Sequence, residues 1–534
     1  MTFKNKQTAI FAALLAGLVL AVYWQTTGFE FINLDDLEYT VLNPLLKDGL
    51  TFAEIKEAFT SIQLRTYMPV TILSLMADVQ IFGLKPSGFH FTNTLLHLLN
   101  TLLLFAFLYR ATGSGWKSFF AAALWAVHPL RAESVAWVAE RKDVLAGFFF
   151  LTGLLAYCEY ARSRRPVFYA TTLAAMVLGL LSKSIVVVFP AALLIADLWP
   201  LERFRQGETP KKLLIEKIPF ISLSILFSGL SLYVHRNTFH MQGQKPLLGR
   251  LADMSTAYLH YLGETLWPFG LVMEDRNTEV HLTGLSAFGA GLLILALTFL
   301  AWKARKTVPA ATAGWCWYLA LLFPVSGVVL LDFFFVADHF SYLPHIGLMV
   351  ALVWGTENLC SRFLKDTRSL AVVGGTLVVV LSVLCFRQVS LWKNDFIFFG
   401  YIDKMTGGQS ATAKKSLGIA YLNSKKFEEA YSYFTQALLV DPSVLQGFGY
   451  KGHAAANLGR YREAAQLYRI ELKRVPGDKD FSLMLANALV MAGDLPEGAR
   501  QALENIKKWP EDKVAWQAIN FLGGVAKAKM LAGK

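Results

Sequence analysis

Two adjacent carboxylates, Asp35 and Asp36, stand in the segment FINLDDLEYTVLNP, soon after the first apolar run of the chain. At a membrane surface such a pair can act as a general base or bind a cation. It can equally cap a turn or a helix. Further on, FHFTNTLLHLLN spaces His90, Asn93, His97 and Asn100 at i, i+3, i+7 and i+10, which is one face of a helix. Polar groups in hydrocarbon are costly, so this face must point into a bundle or a wet cavity. There it either bonds neighbouring helices or lines a substrate pocket. The segment HPLRAESVAWVAERKD gathers His128, Arg131, Glu133, Arg141, Lys142 and Asp143, and LLSKS adds Lys183. Arginine presents a planar fork and lysine a point charge, so Arg131, Arg141, Lys142 and Lys183 suit a phosphate. The same side chains could instead snorkel to lipid headgroups. Asp338 and His339, in DFFFVADHFSYLPHIG, either join that pocket or cap a turn beside a belt aromatic, Tyr342.

These residues need a scaffold, and the hydropathy pattern supplies one. A bilayer core of ~30 Å takes ~20 apolar residues per helix. Candidate spans fall near 8–24, 91–109, 117–129, 144–161, 166–182, 184–199, 217–234, 284–302, 311–331, 343–359 and 369–386. This reads as an all-α, polytopic bundle of about eleven spans. The first run is expected to be an uncleaved helix rather than a signal peptide, since no small-residue cleavage site follows it. One set of loops is short and basic: Lys4 and Lys6; Arg110 and Lys117; Arg162, Arg164 and Arg165; Arg203, Arg205, Lys211 and Lys212; Lys303, Arg305 and Lys306; Arg362, Lys365 and Arg368. The positive-inside rule places these in the cytoplasm. The loops 25–90, 130–143, 235–283 and 332–342 then face outward with most of the candidate site residues. The apolar stretch 66–83 is read as an interfacial helix, because one more span would reverse every later loop.

Past residue 400 the composition turns soluble and helical, and a repeat emerges. Pro442, Pro476 and Pro510 are 34 residues apart, and Gly418, Gly452 and Ala486 keep the same step, as do Ala430, Ala464 and Gly498. Phe434, Tyr468 and Ala502 follow more weakly. Small residues let paired helices approach closely, and each proline closes a unit. The period is that of tetratricopeptide repeats, which stack into a solenoid with a concave binding groove. The domains are expected to be 1–395 in the membrane and 396–534, about three repeats, outside the cytoplasm.

Composition excludes several alternatives. Hydrophobic residues make up 54% of the 534 and charged residues 17%, too apolar for one soluble globule. The net charge of +12 sits in short loops, so it speaks of membrane topology and not of nucleic acid. Cys158, Cys316, Cys360 and Cys385 form no CxxC pair, so neither a structural disulfide nor a cysteine metal site is expected.

Taken in order, the motifs resemble the GT-C class of glycosyltransferases. More closely they resemble the transmembrane and tetratricopeptide-repeat O-mannosyltransferases and their bacterial relatives. The pieces are Asp35–Asp36 with Asn43 and Pro44, GFHFTNTLLHLLNT at 88–101, HPLRAESVAWVAERKDVL at 128–145, LLSKS at 180–184, DHFSYLPHIG at 338–347, and the repeats. His339 stands where the family often has arginine, and Ser184 follows Lys183 where Glu or Pro is common. The resemblance implies an inverting glycosyltransferase that moves a sugar from a polyprenyl-phosphate donor to Ser or Thr hydroxyls of exported proteins. It implies that Asp35 or Asp36, Asp35 first, is the base, and that Arg131, Arg141, Lys142 and Lys183 hold the donor phosphate. His90, Asn93, His97, His128, Glu133, Asp143, Asp338 and His339 would line the substrate pocket. The repeats would hold the protein acceptor, and the site would face the periplasm of a bacterial inner membrane. No cofactor is required; a divalent cation, if used, would sit at Asp35 and Asp36. Three rivals stand beside this reading: a lipid or glycan acceptor on the same fold; a non-enzymatic, membrane-anchored repeat scaffold for secretion or pilus assembly; and a transporter, which would want charges near mid-bilayer where the clear ones lie at the rim.

Overall fold

The computed structural model describes residues 3–64, 66–236, 246–272, 284–328, 336–361 and 368–533, without the side chains of 3–5 and 368. Arg362 and Lys365, and the side chains of Lys4 and Arg368, lie outside the described residues, as do parts of the expected loops 235–283 and 332–342. The chain forms two compact units, Met1–Asn394 and Asp395–Lys534. Every described element is a helix or a turn of one; among the described residues the only strand-like pairing is the single bridge Gln63–Thr66.

The first unit opens with α1 (Phe3–Tyr23), α2 (Asp36–Tyr39), α3 (Phe52–Thr60), α4 (Pro69–Phe82), α5 (Pro86–Thr112) and α6 (Gly115–Ala126). It continues through α7 (Ala132–Ala136), α8 (Arg141–Ser163), α9 (Pro166–Leu180), α10 (Phe189–Leu198) and α11 (Pro210–Val234). Helices 4, 5, 9 and 11 all begin on proline, whose fixed φ and missing N–H suit the first turn. α5 ends where Gly113 takes a left-handed φ of 71°, open to glycine at no steric cost. Later helices are Leu247–Leu266, Gly284–Ala304, Pro309–Leu322, Pro344–Cys360 and Arg368–Ser390.

Six described helices are long and apolar enough to cross a membrane: Lys6–Gly28, Pro86–Thr112, Val138–Ser163, Pro210–Val234, Gly284–Ala304 and Ser369–Ser390. Four more are apolar but shorter, among them Pro69–Phe82 and Pro166–Leu180. The expected spans 117–129 and 184–199 thus correspond to the 12-residue α6 and the 10-residue α10. Helix Leu247–Leu266 lies inside what the sequence reads as a loop. Arg250, Asp253, His260 and Glu264 interrupt its apolar run, yet Ala257, Tyr258 and Tyr261 are buried on one face. Tyr258 donates to the Leu319 carbonyl at 2.7 Å, and Tyr318 donates back to the Tyr258 carbonyl at 2.6 Å.

The polar stripe of α5 lies wholly inside the bundle, with His90, Asn93, His97 and Asn100 at 0% exposure. Asn93 donates to the carbonyls of Val135 (3.3 Å) and Trp137 (3.1 Å), and Asn100 to that of Val144 (2.8 Å) and to the Tyr342 hydroxyl (2.8 Å). His97 meets the Tyr342 hydroxyl at 2.8 Å and the Ala126 carbonyl at 3.0 Å. Buried carbonyls need donors. The stripe supplies them to the irregular segment 126–144 and so fixes its path.

In the second unit, paired helices run Ala411–Asn423 with Phe427–Val440, Gly447–Asn457 with Tyr461–Arg474, and Lys479–Met491 with Leu495–Lys508. Pro442, Pro476 and Pro510 each stand two residues beyond a second helix. The small-residue columns are contact points. A Cβ on Gly418 would lie 2.6 Å from the Phe434 ring, and one on Gly452 3.0 Å from Tyr468.

Candidate functional site

Segment 29–46 folds into short turns after α1, and its two aspartates part ways. Asp36 is fully buried: its carboxylate accepts from the Ile32 amide at 3.0 Å and from the Ala139 amide at 2.8 Å. It therefore ties the loop after α1 to the segment ahead of α8. Asp35, one residue earlier at the start of α2, is half-buried and lines a cavity of about 520 Å³. That size suits a small-molecule site.

One wall of the cavity is charged. Glu133, Trp137, Glu140, Lys142, Lys183 and His339 line it with Asp35. Much of the remaining lining is apolar, with Ile185, Val187, Leu232, Phe323, Pro324, Val325 and Val336. Glu140 is the hub of the charged wall. It is buried to 1% exposure, and its two oxygens take Lys142 at 2.8 Å and Lys183 at 3.0 Å. Lys183 also donates to Asp143 at 2.6 Å. Lys142 lies over the rings of Tyr39 (5.0 Å) and Trp137 (5.9 Å), and Trp137 stacks on Trp392. Both lysines remain 15% exposed, toward the cavity they line. His339 pairs through Nδ1 with Glu133 and approaches Glu140 to 3.8 Å.

Electrostatics favour the charged forms of His339 and Lys183. Burial pulls the His339 imidazole down, but the Glu140 and Glu133 carboxylates outweigh it and raise its pKa above 6.5. Burial likewise opposes the Lys183 ammonium, and Asp143 and Glu140 reverse that effect, leaving it above 10.5. The wall therefore presents held cations beside a carboxylate, the arrangement that can stabilise a departing anion while a base takes a proton.

The other sequence candidates lie outside the cavity wall. Arg141 is fully buried and bridges Asp78 at 2.6 Å, with further bonds to Asn93 and the Phe89 carbonyl. Arg131 bonds Ser341 and sits over the Tyr342 ring at 5.4 Å; Asp338 accepts from the same Ser341 through its carbonyl. His128 faces the Thr265 carbonyl and the His345 ring, and His90 the Glu30 carbonyl. The bonds just named are all to the protein's own interior. For a divalent cation the geometry favours Glu140, Asp143 and His339, whose ligand atoms lie within 4.8 Å of one another, over the aspartate pair. That donor set would suit a metal, although Lys142, Lys183 and Glu133 already partner it. Glu140 is the residue the sequence reading passed over. It stands in the quoted AERKD segment, and its signal was a carboxylate abutting three charged neighbours.

Fold and cavity together define a polytopic membrane protein with a lysine-and-carboxylate site and an attached helical-repeat unit. A family model described as "Tetratricopeptide repeat" matches residues 451–513. The chain is 26% identical over 488 residues to Protein O-mannosyl-transferase Tmtc3 of Drosophila melanogaster, covering 76% of this chain and 51% of that one. It is 22% identical over 513 residues to Protein O-mannosyl-transferase TMTC3 of Homo sapiens, covering 87% and 55%. A stretch of 100 residues is 37% identical to Protein O-mannosyl-transferase TMTC2 of Mus musculus, covering 19% and 12%. The resemblance drawn from the motifs is met: the chain's homologues are protein O-mannosyl-transferases. It spans about half the length of the curated relatives it matches.

Proposed function

We infer that this chain is an inverting O-glycosyltransferase that passes a sugar from a polyprenyl-phosphate donor to a Ser or Thr hydroxyl of a protein. The observation that carries this is the presence of Asp35, Lys142 and Lys183 around one cavity that apolar side chains also line. The relatives' names supply the reaction class and the protein acceptor.

In this reading Asp35 orients the acceptor hydroxyl and takes its proton as the oxygen attacks the anomeric carbon. A hydroxyl is too weak an acid to ionise first, so proton transfer belongs to the transition state, where such help is worth ~10²–10⁴-fold. The bond from the anomeric carbon to the phosphate oxygen breaks, and the lipid phosphate leaves with the electron pair. A phosphodiester thereby becomes a phosphomonoester and gains negative charge, which Lys142 and Lys183 stabilise from fixed positions. Attack opposite the leaving group inverts the anomeric centre. The apolar lining receives the start of the lipid chain. In this reading the cavity opens on the non-cytoplasmic face, which the basic loops favour, and the repeats raise the local concentration of the acceptor.

The test is transfer by the full chain, reconstituted with a labelled polyprenyl-phosphate sugar and an exported-type Ser/Thr peptide. Product of inverted anomeric configuration is expected. Transfer to lipid or glycan with none to peptide would favour the rival acceptor, and absence of transfer to any of them would sink the enzyme reading.

A further inference from the structure

We propose that Glu140 is a charge filter: it sets the net charge of the cavity so that a singly charged phosphodiester is admitted and more highly charged phosphates are turned away. This rests on the donor-phosphate reading above and adds the residue that sets its specificity.

Among the described residues, Asp35, Glu133, Glu140 and Asp143 line or brace the charged wall, against Lys142, Lys183 and His339. Four carboxylates against three cations leave this wall without a positive excess. A site built only to grip phosphate would leave its lysines unopposed. Here one carboxylate engages both of them, an oxygen to each ammonium, at 2.8 and 3.0 Å. Two ammoniums held across two oxygens of one group have the spacing that two oxygens of a phosphate edge would also use. Glu140 thus keeps the lysines preorganised and at the same time subtracts one charge from what they offer. Its effect on a ligand scales with the ligand's own charge. The donor carries one negative charge. Its lipid-phosphate product carries up to two at neutral pH, and a lipid diphosphate carries more. The filter therefore disfavours the product relative to the donor, which speeds release after transfer.

The experiment uses the full chain in lipid, with Glu140→Gln. Three quantities are read: the KM of the polyprenyl-phosphate sugar, and the inhibition constants of polyprenyl phosphate and polyprenyl diphosphate of the same chain length. All three ligands should bind E140Q more tightly, by roughly three- to tenfold per unit of ligand charge, so that the diphosphate gains most. A purely structural role predicts weaker binding, or one common factor for all three; either result overturns the filter. Removing Glu140 leaves buried lysines short of a partner, so Glu133→Gln serves as a second variant. It removes a charge from the same wall and should give the same ordering with smaller steps; an unordered change overturns the proposal. If the wild-type chain neither uses the donor nor is inhibited by either lipid phosphate, the donor-phosphate reading itself fails, and the filter with it.

Discussion

Helix α8 carries a buried charge cluster near each end, about 21 Å apart by helical rise, and the two are built to different ends. Near its start Glu140, Lys142, Lys183 and His339 border a cavity, with Asp143 bracing Lys183. Near its finish Tyr157 donates to Asp197 at 2.8 Å, Lys217 bonds both of them, and Arg203 grips Glu216 with bonds of 2.7 and 3.0 Å. Asp197, Arg203 and Lys217 are at 0% exposure, and none of them lines the cavity. Arg203, which the sequence reading counts among the cations of a cytoplasmic loop, is thus an interior residue. A closed cluster has lost its hydration and exists on its internal pairs alone, so its contribution is to folding. An open one can trade an internal partner for a ligand. The same residue types serve opposite purposes according to whether a cavity adjoins them.

The largest expected effect tests that division directly. Asp35→Asn should cut sugar transfer by ~10²–10⁴-fold with an unchanged melting temperature. Asp197→Asn should do the reverse, costing ~3–5 kcal/mol of stability by stranding buried cations, while the folded fraction keeps its donor KM. A kinetic defect in D197N with normal stability would erase the distinction. Next in size, Lys142→Met or Lys183→Met should lower kcat by about 10²-fold, as loss of one fixed donor to a developing anion does; full activity in both would remove the lysines from the chemistry.

A smaller effect appears in pH profiles. His339 is raised above its ordinary 6.5, so its charge, and the stability its pairing gives, is present below that value and is lost as pH climbs through the folded pKa. Donor use should therefore decline on the alkaline side. His339→Arg keeps the charge and should flatten that limb; an identical limb in H339R would show that another group titrates. Smallest for catalysis is Gly418→Ala. A methyl there meets Phe434 and should destabilise the repeat unit by about 1–3 kcal/mol while leaving the donor KM untouched. Differential scanning of the full chain would show it, and a shifted donor KM would contradict it.

Much of this was legible in the residues. The 34-residue step located the repeat helices, because close helix approach forces small residues at fixed positions. The α5 spacing correctly put four polar groups on one buried face, but it could not say whether they meet a ligand or a backbone. The irregular 126–144 segment, whose carbonyls they satisfy, leaves no periodic trace. Nor could the dipeptide Asp35–Asp36 tell its members apart, since a one-residue step turns one carboxylate to backbone amides and the other to the cavity. Arg141 looked like a phosphate ligand because its partner Asp78, in α4, is remote in sequence. Helix Leu247–Leu266 escaped because four charged or titratable residues hid its apolar face from a hydropathy window.

The Asp36 carboxylate, which accepts amides from both Ile32 and Ala139, stitches two stretches of chain more than a hundred residues apart into one plate. Asp35 and Lys142, the proposed base and one of the proposed phosphate-binding cations, ride on that plate together. Any recombination of this chain with a relative would have to carry both stretches as one inherited part, since exchanging either alone would unpick the seam.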